Sequence, residues 1–189
     1  MAVPPDAAGR AVQASIDAVT LRDLTEADLA RIVEINAAEA RHTSTMDIER
    51  ARELVALSAY RRVASVAGQV AAFLLAMRHD APYHNPNHGW FAERYDAFLY
   101  VDRIVVAQPF QGHRLGGRLY DDLFDFARVH ELARVVCEFN VVPPNEASAR
   151  FHARRGFLEV GRQWLDEGRK QVSMQLATLP VGGHAAATA

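Results

Sequence analysis

Cysteine is almost absent from this chain, which has one, Cys137, in 189 residues. A single cysteine makes no intramolecular bridge, so the fold must hold without disulfides. Its place inside the apolar run 135–139 reads as a core thiol of a reducing compartment. An excess of positive charge is missing as well. The formal net charge is −2, and nucleic acid and anionic membranes are bound through concentrated cations, so neither is an expected partner. No uninterrupted apolar run of about 18 residues occurs, which argues against a membrane-spanning helix. The first ten residues carry two prolines and an acid where a secretory signal needs a basic start and an apolar core, and a cytoplasmic location is expected. Two nucleotide signatures are also lacking, the dinucleotide Gly-x-Gly-x-x-Gly and the P-loop Gly-Lys-Ser/Thr. His79, His84 and His88 have no recognised metal spacing, and no metal is expected.

What is present is a chain half hydrophobic by residue, long enough for one domain with a substantial core. Residues 1–16 and 179–189 lack a periodic apolar pattern and are expected as tails around a single domain at 17–178. Residues 18–22 alternate like a strand. Thr25 and Asp28 then form a cap signature before Leu29, Ile32, Val33 and Asn36, which are spaced as one helix face. A second helix starts near Thr45 or Asp47. Strands at 62–66 and 70–77 flank Ala67-Gly68-Gln69 as a hairpin. Residues 78–96 are expected to be irregular. A strand at 98–106, a helix at 116–131 and a strand at 135–139 then make one parallel crossover unit. A helix at 145–155 closes at Gly156, and 158–162 with 172–176 form a terminal strand pair. The implied class is mixed α/β, a sheet of six to seven mostly antiparallel strands with about four helices on its faces.

The most informative segment is 105–117, an apolar strand running through a glycine-bearing turn into a helix. A helix start exposes N–H groups that no intrahelical carbonyl can reach, and the helix dipole adds positive charge there, so the segment is suited to a phosphate. Gln111-Gly112-His113-Arg114-Leu115-Gly116 resembles the Q/R-x-x-G-x-G/A acyl-CoA loop of the GNAT superfamily of N-acetyltransferases, with Arg114 where the pattern has its middle glycine. Downstream, Asn145 to Phe157 is similar to the family's later segment, in which an Asn opens a helix and Tyr-x-x-x-Gly-Phe ends it. His152 takes the place of that tyrosine.

The resemblance implies a sheet splayed between its two central strands and acetyl-CoA as co-substrate. It also implies direct attack of an amine acceptor on the thioester through a tetrahedral intermediate. It assigns the pyrophosphate to Gln111, Gly112, His113, Arg114, Leu115, Gly116 and Gly117, and the pantetheine arm to the main chain of Ile104, Val105 and Val106. Asn145 and Phe151 join the cofactor side. His152 becomes the proton donor to the departing thiolate. Members of the family pair, and the terminal strands offer edges for a homodimer.

The base is read from the residues. Glu138 lies among Val135, Val136, Cys137 and Phe139, where burial raises a carboxyl's proton affinity, and Asp102 and Arg103 alternate on the opposing strand. An ion pair between Arg103 and either carboxylate is the competing reading. Tyr83, Trp90, Phe91 and Arg103 are expected on the acceptor side. Two other functions stay open at this point. One is a CoA-binding regulatory or scaffold module without turnover, and the other is a nucleic-acid binder using Arg150, Arg154 and Arg155.

Overall fold

The computed structural model describes residues 19–39 and 43–180. The tail expected at 1–16 lies outside the described residues, as does all but the first two residues of the one expected at 179–189. The elements run β1 (Thr20–Asp23), α1 (Leu29–Ala38), α2 (Ile48–Leu57), β2 (Tyr60–Val66), β3 (Gln69–Arg78), α3 (Pro86–Ala92), β4 (Leu99–Val106), α4 (Leu115–Val129), β5 (Arg134–Val142), α5 (Glu146–Ala153), β6 (Leu158–Leu165) and β7 (Lys170–Thr178). The strands make one mixed seven-stranded sheet in the order β1-β2-β3-β4-β5-β7-β6. No helix among the described residues is long and apolar enough to cross a membrane.

The chain divides into two compact units. The first holds the residues up to Ala56, Arg61–Leu75 and Arg103–Tyr120. Here β1 pairs antiparallel with β2, Leu21 opposite Ala64. The cap expected at Thr25 forms: its N–H and hydroxyl both donate to Asp28 Oδ2, at 2.9 and 2.8 Å. The Arg22 guanidinium closes on both oxygens of the same carboxylate at 2.7 Å. With Arg22 first among the causes, Asp28 is pulled down to about 2. Leu29, Ile32, Ile35 and Asn36 are the buried stripe of α1. The hairpin turn is Ala67-Gly68, with φ of 49° and 80°, the pair of positive values that matches the strands' twist in a two-residue loop.

The second unit holds Leu57–Tyr60, Ala76–Asp102 and the residues from Asp121 onward. In it β5, β7 and β6 are antiparallel neighbours, Glu138 opposite Met174 and Gln163 opposite Val172. The parallel pairing of β4 with β5 covers Leu99 with Val135 and Tyr100 with Val136. Asp102 and Glu138 lie beyond the last pair, on the stretch where the splay is expected. Leu179 is buried, and its N–H donates to Ala133 O at 2.8 Å.

Residues 78–96 are not wholly irregular. Asn85 caps α3, its Oδ1 accepting from the N–H groups of Asn87 and His88 at 2.8 and 3.3 Å, with Pro86 in the first turn. Proline there lacks only an N–H that would be orphaned anyway. Its presence makes five α-helices among the described residues against the four expected.

Candidate active site

In the first unit, β4 alternates in burial, with Arg103 and Val105 inside and Ile104 and Val106 half-buried. The strand is released by Ala107, whose N–H donates to Ala71 O at 2.8 Å, and by a single turn at Gln108–Phe110. Gly112 then takes a φ of 81° and Arg114 one of 62°. Arg114 therefore adopts the left-handed backbone that the loop's middle glycine would adopt without steric cost. The backbone N–H groups of Gly112, His113, Arg114, Leu115, Gly116 and Gly117 meet no acceptor among the described residues; Arg118 is the first to find one, Arg114 O at 3.0 Å. Successive N–H groups at a turn and a helix start form a concave positive surface for an anion. Gln111 does not extend into it, because its Nε2 donates to Val106 O at 3.2 Å and to Glu39 Oε1 at 2.8 Å.

In the second unit, Glu138 stands in a cluster of neutral donors. Its Oε1 accepts from Asn87 Nδ2 at 2.8 Å and from Tyr100 OH at 3.1 Å. Its Oε2 is buried and has no hydrogen-bond partner among the described residues. Burial first, and the charge of Asp102 second, push the Glu138 carboxyl up to about 7, against the Tyr100 and Asn87 hydrogen bonds and the charge of Lys170, which pull it down. A carboxyl that titrates near neutrality with a bare oxygen is suited to taking a proton. Asp102 is engaged differently, accepting from Tyr83 OH at 2.5 Å, and Tyr83 OH in turn accepts from Asn85 Nδ2 at 3.2 Å. Asn87 itself is held from β6, where Gln163 Nε2 donates to its Oδ1 at 3.0 Å.

The proton-donor role expected of His152 conflicts with its surroundings. The ring is buried, stacked on Phe139 at 5.8 Å and met edge-on by Phe151 and Phe157. Its Nδ1 is 2.9 Å from Ser148 O. A carbonyl only accepts, so Nδ1 carries the proton of the neutral ring and Nε2 carries none. Burial holds the imidazole down at about 4. At neutral pH His152 is therefore uncharged, and its one N–H is spent on Ser148.

Two further expectations are corrected, those for Phe91 and Arg103. Phe91 is fully buried, packed among Trp90, Tyr95, Phe98 and Tyr100, and presents no surface to an acceptor. The Arg103 guanidinium is buried and donates to Asn36 Oδ1, Ser44 O and Ser44 Oγ, fastening the end of α1 to the segment before α2. Asn145 is the cap of α5, its Oδ1 accepting from Ser148 N–H at 3.1 Å. Phe151 lies under the Arg155 guanidinium at 5.4 Å, and Trp90 covers the backbone of Gly161. Asn87, Tyr100 and Gln163 were not read from the sequence. The Asn-Pro start of α3 is the signal that would have placed Asn87 on a helix.

Known proteins share the fold. Over 71 residues, 37% of the chain, it is 42% identical to the phosphinothricin N-acetyltransferase of Streptomyces coelicolor, and the match spans 40% of that enzyme's length. The crystal structure of Ard1 from Thermoplasma volcanium superposes with a TM-score of 0.70 at 16% identity, covering 86% of this chain and 99% of that one. YncA of Salmonella typhimurium, described as a putative acetyltransferase with its cofactor acetyl-CoA, gives 0.64 at 22% identity, covering 90% and 99%. The family model for GNAT acetyltransferases matches residues 29–157, from the first residue of α1, through the turn at 111–117, to the Phe157 that follows Gly156. The chain is a member of the GNAT acetyltransferase family.

Proposed function

We propose that the protein moves an acetyl group from acetyl-CoA to a primary amine by direct attack, with Glu138 as the general base. The observation that carries this reading is the Glu138 carboxyl, raised to about 7 by burial and Asp102, with Oε2 unpartnered among the described residues. An aliphatic ammonium, with a pKa of about 10.4, must lose a proton before its nitrogen can attack. Glu138 takes that proton, the amine nitrogen bonds to the thioester carbon, and a tetrahedral intermediate forms. As the carbon–sulfur bond breaks, one of the two protons left on nitrogen goes to the departing sulfur and the other stays, giving a secondary amide and CoA thiol. A CoA thiolate is a fair leaving group, since thiols of this kind have a pKa of about 8.5, so the step needs no imidazolium. His152 serves as a neutral wall of the site. The amides at 112–117 take the CoA pyrophosphate, with Arg114 and His113 beside it.

The test is thiol release from acetyl-CoA with a panel of amines: phosphinothricin, a peptide beginning with alanine, and simple alkylamines. Turnover with at least one of them is expected, together with a Glu138→Gln variant reduced by 10²-fold or more, the scale of general base catalysis. Tight acetyl-CoA binding with no transfer to any acceptor would favour the cofactor-binding module instead.

A further inference from the structure

The oxygen that Glu138 offers is selected from outside the splay, by a strand at the edge of the sheet. Gln163 on β6 donates to Asn87 Oδ1 at 3.0 Å, and Asn87 Nδ2 donates to Glu138 Oε1 at 2.8 Å. A carboxamide has one accepting end and one donating end, so the partner at one end dictates what the other end presents. With Gln163 donating, Asn87 can only present N–H to Glu138. Tyr100 OH fills the remaining position on the same oxygen, and both donors are thus gathered on Oε1 while Oε2 stays bare.

Resting on the reading of Glu138 as the base, we propose that Gln163 and Asn87 form a two-amide relay of positioning residues. The relay pins Oε1 and leaves Oε2 as the atom that receives the acceptor's ammonium proton. The charged and titratable groups facing Glu138 are Asp102 and Tyr100 from β4 and Lys170 from β7, with Tyr83 on Asp102. None of these is changed by substitution at 163, so that position isolates the relay.

Gln163→Glu inverts it. A carboxylate at 163 accepts only, which turns the Asn87 amide so that Nδ2 faces β6 and Oδ1 faces Glu138 Oε1. Two acceptors then meet unless Glu138 holds a proton between them. The acidic limb of kcat/KM for the acceptor should move alkaline by about one unit, a tenfold loss at pH values below it, with the KM for acetyl-CoA unchanged. The Glu138 carboxyl titration, followed by carbon-13 NMR, should move by the same amount. In an Asn87→Ala background no amide is left to turn, and the shift caused by Gln163→Glu should largely vanish.

A limb and a titration that stay in place in Gln163→Glu overturn the relay. So does an equal shift in both backgrounds, which would be through-space charge alone. Should Gln163→Glu fail to fold, the uncharged Gln163→Leu must move the Glu138 titration in the native background and not in Asn87→Ala. Failure of the base reading is separate: the wild-type limb would survive Glu138→Gln, while the carboxyl titration would still judge the relay.

Discussion

Gly161 lies so close beneath the Trp90 indole that an added β-carbon would stand 2.5 Å from its Cζ2. Trp90 sits on α3, the helix that carries Asn87 to Glu138. Gly161→Ala should therefore lift α3, costing about 1–3 kcal/mol as an overpacked contact and lowering kcat beyond what the loss of folded protein explains. Gly89, on the same helix with open space around its α-carbon, is the control. Gly89→Ala should stabilise by about 0.5–1 kcal/mol and leave kcat alone, as read by thermal melts and initial rates.

Stability should depend on pH through two groups of opposite sign. Glu138 titrates at about 7 in the folded chain against an ordinary 4.5, so its contribution is full below 4.5 and is lost as the pH rises through 7. His152 titrates at about 4 against 6.5, so its contribution is full above 6.5 and is lost as the pH falls through 4. Each shift corresponds to roughly 3 kcal/mol, and between 4.5 and 6.5 they offset. Glu138→Gln should leave a chain that weakens on acidification from 6.5 to 4. His152→Gln should leave one that weakens as the pH rises from 4.5 to 7. Urea midpoints across this range decide it, and parallel profiles for all three proteins would refute the assignment.

Arg114 holds a left-handed backbone, φ 62°, at a cost of about 1–2 kcal/mol for a residue with a β-carbon. Arg114→Gly should raise the melting temperature, by up to about 1 kcal/mol of net stability once the flexibility of glycine is counted. The same change should weaken acetyl-CoA binding several-fold if the guanidinium meets the pyrophosphate. Arg114→Ala should weaken binding equally without the gain in stability. Calorimetric titration beside thermal melts reads both.

Arg103→Met should destabilise by about 2–4 kcal/mol, because it removes the donor to Asn36 Oδ1 and to Ser44 Oγ and leaves Ser44 O with Asn36 Nδ2 alone. The KM of the residual folded enzyme for its acceptor should be unchanged. A raised acceptor KM at intact stability would return Arg103 to the substrate.

Most elements were legible in the sequence because their signals are local. The Thr25 and Asp28 cap, the Ala67-Gly68 turn and the glycine turn at 112–117 each depend on residues within a few positions of one another. The second unit's chemistry was only partly legible. Glu138 stood out as a charge among apolar residues, whereas the amides hydrogen-bonded in series to it, Asn87 and Gln163, are 76 positions apart and follow no periodicity. Arg103 and Phe91 show the reverse error. A buried cation answered by Asn36 and Ser44 looks in sequence like one lining a cleft, and an aromatic-rich stretch looks like a binding loop although its Phe91 fills the core.

The amides at 112–117, which meet no acceptor among the described residues, do not distinguish one oxyanion from another. If a diphosphate docks there as proposed, sulfate or inorganic phosphate in a buffer competes for the same amides, and rates measured in such salts are rates under competition. Titrating the buffer anion against the co-substrate is then the simplest way to find the true saturation curve.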